Sequence, residues 1–268
     1  MAARVPFAER YLAGRSAIHT TDARAKLPAT LAYIFAVTLT PVGHWPALSL
    51  LALPLAAALV LSRVPPLVVL RRSALALPFL LAAVPLMFTR EGEVLFSVPL
   101  FGWTASREGL EAVLSILAKS WLSVVAAVIL TTTTPAAELL RAMRTLGLPR
   151  LLVATVSFMY RYLFVIGEEA LRLLRARDSR SGRPAGVCPP GRRAGGNLGW
   201  RARVLGNMIG SLFLRTYERS ERVYAAMQAR GYDGEPRFLS NRAWRPMEIV
   251  LATALVAYLA GVELYARY

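Results

Sequence analysis

The sequence has few of the residues that form disulfides, metal sites or phosphate-binding loops. Cys188 is the only cysteine among 268 residues, which excludes an intrachain disulfide and a cysteine-rich metal site. The only histidines, His19 and His44, fall in segments that we predict to lie on opposite sides of a membrane, so they cannot share a metal ion. A Walker-type glycine-rich loop is also absent. We therefore expect no catalytic, metal-binding or cofactor-binding residue in this chain.

Apolar residues and positive charge are what the sequence has in excess. Hydrophobic residues make up 56% of the chain, and the formal net charge is +16. A soluble domain usually has an apolar share of about 45–50%. High apolarity and high charge fit together when apolar helices cross a bilayer and basic loops face the cytosol. Nucleic-acid binding is disfavoured, because no nucleic-acid motif accompanies the basic residues.

Five apolar stretches are long enough, or nearly so, to cross a bilayer as helices, for which about 20 residues are needed. They are Leu27–Val42, Pro46–Ser62, Ser73–Thr89, Leu110–Thr132 and Met247–Tyr265. The sequence therefore predicts an all-α membrane protein with about five transmembrane helices.

The distribution of charge predicts the orientation of these spans. Residues 1–26 hold five basic and two acidic residues and no signal-peptide pattern, so we place them in the cytosol with the first span retained. The loop 90–108 has a net charge of −1 and is predicted to be outside, whereas region 133–246, with 20 arginines and 8 acidic residues, has a net charge of +12 and is predicted to be cytosolic. This gives segments 1–132, 133–246 and 247–268.

The basic region 133–246 has the pattern of long helices. Pro135–Leu146 predicts a short helix, and a second helix runs from Pro149 toward Arg177. The apolar first half of this second helix is compatible with a sixth span, but a helix on the membrane surface agrees better with the charge distribution. Glycines and prolines then mark a loop at 179–199. A third helix, Trp200–Arg230, precedes Gly231, a favourable residue for capping a helix C-terminus.

Several motifs, in order along nearly the whole chain, resemble one family. The second and third helices are predicted to end in Ala176-Arg177-Asp178 and Ala229-Arg230-Gly231. These are similar to the two Ala-Arg-Gly motifs of the transmembrane T components of energy-coupling factor (ECF) transporters, and other segments resemble the cobalt-type CbiQ branch. Those segments are Asp22–Lys26, Thr133–Pro135, Glu138–Leu140, Leu146–Pro149, Phe158–Tyr162 and Arg215–Arg222.

The resemblance implies a non-enzymatic subunit of an ATP-driven importer. Residues 133–246 would be a cytosolic coupling domain, and both motifs would dock on two cytosolic ABC ATPase subunits, which use the ATP. Their movement would pass to a substrate-binding, CbiM-like membrane S subunit, with a small accessory membrane subunit as a further partner. The resemblance implies the bacterial inner membrane and cobalt as the substrate, with nickel or a vitamin as alternatives.

Two departures from the family pattern bear on the sites. Asp178 stands where glycine is common, which leaves open whether Arg177 or Arg180 docks, and Ala23 stands where proline is common. Gly206 and Gly210 have the small-xxx-small spacing that permits close helix packing.

Two questions remain open from the residues alone. Lys119 lies within a predicted span, where it could reach an interface, pair with an acidic residue or have a functional role. A membrane enzyme that modifies lipids, with the basic face holding phosphates, is the alternative class of function. That class requires convergent acidic or histidine residues, of which the sequence supplies few.

Overall fold

A computed structural model describes the chain over 11–12, 14, 16–74, 78, 83–89, 94–98, 103–180, 198–234 and 246–268. The chain divides into two units. The bundle unit comprises Glu9–Gly147 and Ser240–Tyr268, and the paired-helix unit comprises Met1–Ala8 and Leu148–Leu239. Helices dominate both units, which confirms the predicted all-helical membrane fold.

The described part of the bundle unit contains eight helices and a hairpin. The helices are α1 (Ala17–Thr20), α2 (Ala23–Leu39), α3 (Trp45–Ser62), α4 (Pro66–Ser73), α5 (Leu86–Thr89), α6 (Arg107–Thr133), α7 (Ala136–Thr145) and α10 (Pro246–Arg267). Helix α2 packs against α6, α7 and α10, and α6 also packs against α3, α4 and α5. The core lies where α2, α3, α6 and α10 meet, around Val37, Leu51, Ala126 and Leu259.

A small antiparallel hairpin, β1 (Val94–Val98) and β2 (Trp103–Ser106), lies between α5 and α6. The net charge of residues 90–108 predicted an external loop, and the sequence analysis did not predict the two strands. The Ser106 hydroxyl then caps α6 by accepting a hydrogen bond from the Gly109 N–H at 3.0 Å. The hairpin therefore leads directly into the longest helix of the bundle unit.

Four helices among the described residues are long and apolar enough to cross a membrane. They are Trp45–Ser62, Arg107–Thr133, Arg150–Arg180 and Pro246–Arg267. The first, second and fourth match predicted spans. Helix α2, the counterpart of the first predicted span, has 17 residues, at the lower limit for crossing. Seven of the 17 residues of the predicted span Ser73–Thr89 lie outside the described residues.

The described part of the paired-helix unit contains two long antiparallel helices. Helix α8 (Arg150–Arg180) has 31 residues and α9 (Leu198–Ala229) has 32. Near the start of α8, the Phe158 ring lies 6.1 Å from the Tyr232 ring, which follows α9. Farther along α8, Glu169 pairs with Arg215 near the middle of α9 at 3.1 Å. The numbering rises along one helix as it falls along the other, so the helices run in opposite directions.

Candidate functional site

The second predicted motif, residues 229–231, forms a well-defined helix end. Gly231 has φ of +75°, a left-handed conformation that glycine adopts without strain. The Gly231 N–H donates to the Gln228 carbonyl at 2.9 Å, and the Tyr232 N–H donates to the Met227 carbonyl at 3.0 Å. These two bonds are a Schellman motif, which satisfies carbonyls at the end of a helix. Arg230 is thereby fixed at the last turn, and it is exposed.

The first predicted motif, residues 176–178, lies within its helix instead of ending it. Helix α8 continues to Arg180, so the predicted helix end at Arg177 is wrong. Asp178 cannot take the left-handed cap conformation as readily as glycine. The Ser179 hydroxyl instead donates to the Ala176 carbonyl at 2.9 Å within the last turn. Both Arg177 and Arg180 lie in this turn, and Arg180 is the more exposed.

Arg177 forms an ion pair with its neighbour in the chain. Its Nη2 and Nε donate to the same Asp178 oxygen, Oδ1, at 2.7 and 3.1 Å. The side chains of Arg177 and Asp178 are 39% and 64% exposed. The arginine at the first motif is therefore accessible but already engaged by a carboxylate.

The antiparallel arrangement places the two motifs at opposite ends of the helix pair. Arg230 lies two residues before Tyr232, whose ring contacts Phe158. Arg177 lies 19 residues farther along α8 than Phe158. At 1.5 Å per residue, the two arginines are separated by roughly 30 Å along the pair. The paired-helix unit therefore carries one arginine motif at each end.

A groove of about 430 Å³ runs between α8 and α9 near the Arg230 end. Its apolar walls come from both helices: Phe158, Tyr162, Val165, Ile166, Val223, Tyr224 and Met227. Arg219 and two hydroxyl residues complete the lining. Two of the family-like segments, Phe158–Tyr162 and Arg215–Arg222, thus meet across one groove. No pattern in the sequence indicates this pairing, because the segments are more than 50 residues apart.

Gly206 and Gly210 lie in the first half of α9. Neither takes part in the ring contact, the ion pair or the groove that join α8 and α9. A Cβ added at either position would meet no atom within 4 Å among the described residues. Ile209 and Phe213, on the same stretch, are 66% and 65% exposed. The predicted packing role of these glycines stays a prediction and would require a partner outside the described residues.

In the bundle unit, the segment Asp22–Lys26 connects three helices. The Asp22 carboxylate caps α2 by accepting a hydrogen bond from the Arg24 N–H at 3.0 Å. The Asp22 N–H donates to Glu248 Oε1 of α10 at 3.2 Å, and Lys26 Nζ donates to the Thr134 hydroxyl, just after α6, at 3.3 Å. This family-like segment therefore has a clear structural role.

Lys119 belongs to a second polar cluster that joins α6, α2 and α10. Its Nζ donates to the Thr40 carbonyl. The Thr40 hydroxyl donates to Glu263 Oε1 at 2.9 Å. The ammonium group therefore has a backbone partner, and the Glu263 carboxylate lies one residue away in the same network. This geometry favours the structural interpretation of Lys119 over a functional one.

The histidines lie in two different environments. His19 Nε2 lies 3.0 Å from the Leu12 carbonyl, and its Nδ1 lies 2.6 Å from the Ser16 hydroxyl. His44 precedes α3. Within the described ranges, no group of three or more His, Cys, Asp or Glu side chains could hold a metal ion.

Comparison with known proteins identifies relatives among transporter components. Residues 14–260 match the family described as CbiQ, cobalt transport protein. A cobalt transport protein CbiQ from Rhodobacter capsulatus is 34% identical over 50% of this chain and 52% of its own length. A putative fused cobalt transport protein CbiMQ from Methanocorpusculum labreanum is 28% identical over 82% of this chain and 35% of its own length.

A third relative extends the similarity over nearly the whole chain. An energy-coupling factor transporter transmembrane protein EcfT from Listeria innocua is 27% identical over 96% of this chain and 97% of its own length. The chain spans about half the length of the Rhodobacter protein and about a third of the fused one. The family match covers most of the residues, including both arginine motifs and every described helix up to the middle of α10. The chain therefore belongs to the CbiQ family of cobalt transport proteins.

Proposed function

We propose that this chain is the transmembrane coupling subunit of an ECF-type, ATP-driven importer. Two cytosolic ATPase subunits bind at the Arg177 and Arg230 ends of the paired-helix unit, and their ATP-driven movement passes to a substrate-binding membrane subunit. The chain itself is not catalytic and binds no cofactor. The observation that carries the proposal is the antiparallel helix pair, which presents one exposed arginine motif at each end roughly 30 Å apart.

Arginine is suited to such docking. Its planar guanidinium group can form two parallel, charge-assisted hydrogen bonds to one carboxylate. At the end of a helix it can also act as an ordinary favourable charge on the helix dipole. The presence of two similar motifs at separated ends, within a family-like sequence, favours docking over simple capping. Two separate sites agree with two ATPase subunits, one bound at each site.

The substrate-binding partner is supported by a relative. The Methanocorpusculum protein is named as a fusion, CbiMQ, and matches this chain over 82% of its residues. A CbiM-like membrane subunit is therefore the partner that we propose, with a small accessory membrane subunit as a further component. Cobalt is the proposed substrate, with nickel and a vitamin as alternatives. Uptake assays in cells carrying the complete set of transporter genes would distinguish these substrates.

We propose a bacterial inner-membrane location with residues 133–246 in the cytosol, because this region carries a net charge of +12. Cys188, the only cysteine, lies in this region and outside the described residues. A membrane-impermeant thiol reagent should label it only after cells are permeabilised. Labelling of intact cells would place this loop outside and contradict the orientation.

A lipid-modifying membrane enzyme is the alternative from a different class. Co-purification separates the two hypotheses. The full chain, extracted in mild detergent from cells that express all transporter genes, should carry two ATPase subunits and a membrane subunit. Catalytic activity of the isolated chain on lipids, without such partners, would support the enzyme and contradict the coupling function.

A further inference from the structure

The two arginine motifs differ in what already occupies the arginine. At the first motif, one oxygen of Asp178 accepts hydrogen bonds from both Nε and Nη2 of Arg177. Within the described part of the chain, the Arg230 guanidinium takes part in no such ion pair. The residue that follows Arg230 is Gly231, which has no side chain to compete. The difference at this position is therefore aspartate against glycine.

The position of the Asp178 oxygen matters for docking. A guanidinium binds a carboxylate through two adjacent N–H groups, and the Nε–Nη2 edge is one of the edges that fit. Asp178 occupies this edge. An incoming carboxylate would have to displace Asp178 or bind through the remaining N–H groups beside a like charge. Each route weakens the contact.

Two arginines that precede Arg177 on α8 do not remove this competition. Arg172 pairs with Glu169 at 3.5 Å, and Arg175 Nε donates to the Leu171 carbonyl of its own helix at 3.2 Å. These side chains are engaged along α8. The guanidinium of Arg177, by contrast, is held by Asp178 of the same motif.

We propose that Asp178 is a built-in competitor for Arg177 and makes the two docking sites unequal. The Arg230 site receives its ATPase directly, whereas at the Arg177 site the ATPase carboxylate must displace Asp178 or bind beside it. The Arg177 end is therefore the weaker of the two docking sites by a small factor. This inference rests on the proposed coupling function, and it concerns the relative strength of the two sites.

The expected effect is modest, because both side chains are largely exposed to solvent. An exposed ion pair contributes little to stability. Removing the competing charge should therefore strengthen the ATPase contact about twofold to fivefold. An effect of this size is measurable when variants are compared in the same preparation. A double-mutant cycle separates it from a general charge effect.

The experiment is a titration of the full chain, reconstituted in lipid nanodiscs, with its purified ATPase subunits at a fixed nucleotide state. Asp178→Asn keeps the side-chain shape and removes the charge, so it should lower the dissociation constant about twofold to fivefold. The gain should vanish when Arg177→Ala is also present. Glu221→Gln, at an exposed position of α9, removes one negative charge elsewhere and is the matched control.

Each outcome decides the proposal. An unchanged or weaker interaction in Asp178→Asn overturns it, the weaker case because Asp178 would then be a contact in its own right. A gain that Glu221→Gln equals, or that persists with Arg177→Ala, also overturns it, since the cause would be general charge. If Arg177→Ala weakens binding while Asp178→Asn has no effect, only this inference fails. If neither Arg177→Ala nor Arg230→Ala weakens binding, the docking function itself fails.

Discussion

The bundle unit and the paired-helix unit are built on different principles. In the bundle unit, helices distant in the sequence share a buried core and are joined by hydrogen bonds at both polar clusters, those of Asp22 and of Lys119. In the paired-helix unit, α9 has no buried residue among those described. Large apolar side chains on it, such as Ile209 and Leu214, are 66% and 62% exposed. The bundle unit is stabilised by a buried core, whereas α9 of the paired-helix unit leaves large apolar side chains exposed.

The largest effect expected from this difference is on core packing. Leu51 is fully buried, whereas Leu214 of α9 is 62% exposed. Leu51→Ala should lower the free energy of unfolding by about 2–5 kcal/mol, because it leaves a cavity. Leu214→Ala should change the stability of the isolated chain by about 0.5 kcal/mol or less. Denaturation of both purified variants in the same detergent tests this. Equal losses of unfolding free energy would contradict the difference between the two units.

A smaller effect is expected at the polar link between α2 and α10. Glu248 is 7% exposed and accepts the Asp22 N–H. Glu248→Ala leaves this donor without its partner, which should cost about 1–3 kcal/mol. Glu248→Gln keeps an acceptor oxygen and should recover part of the loss. The control is Glu218→Ala, in an exposed pair, for which thermal stability should be nearly unchanged. A similar loss in Glu218→Ala would argue against a special role for the buried link.

The end of α9 should be sensitive to the residue at position 231. Gly231 has φ of +75°, and an L-residue in this region is disfavoured by about 1–2 kcal/mol. Gly231→Ala should therefore loosen the last turn of α9, with faster amide exchange at Arg230 and Tyr232. Asparagine tolerates this conformation better than alanine, so Gly231→Asn should be milder. Equal exchange in all three proteins would show that the cap does not hold Arg230.

The smallest effect concerns the two glycines in the first half of α9. A Cβ at Gly206 or Gly210 meets no described atom, and alanine is favoured over glycine in a helix by up to about 1 kcal/mol. Gly206→Ala and Gly210→Ala should therefore leave the isolated chain as stable as before or slightly more stable. If these glycines permit close packing with a partner helix, the same variants should weaken recovery of the membrane subunit. Normal recovery would remove the predicted packing role.

The sequence predicted the parts of the fold that depend on local patterns. The apolar runs of α3, α6 and α10 predicted where these helices lie. Gly231 predicted the end of α9, because glycine readily adopts the left-handed conformation that ends a helix. Helix α8 extends beyond the motif at 176–178, where the sequence predicted its end, because Asp178 caps a helix C-terminus less well than glycine. The hairpin was missed because its strands have only five and four residues, although Pro99 and Gly102 between them are turn-forming residues.

What the sequence could not provide is the meeting of distant segments. The groove between α8 and α9, the link between Asp22 and Glu248, and the network from Lys119 to Glu263 each join residues far apart in the chain. One sequence does not specify such pairs. The same holds for the Arg177–Asp178 ion pair, because adjacent side chains on a helix do not normally face each other.

The most direct test of the coupling function is ATPase retention on the affinity-purified full chain that carries both Arg177→Ala and Arg230→Ala. Losing a desolvated contact between arginine and a carboxylate at an interface costs about 2–5 kcal/mol. The double variant should therefore insert normally but retain little ATPase and support no metal uptake, with Arg230→Ala the more severe single change. Arg222→Ala, in an exposed pair on α9, is the control. If the double variant retains ATPase and uptake at the level of this control, the arginine ends of the helix pair are not the docking sites.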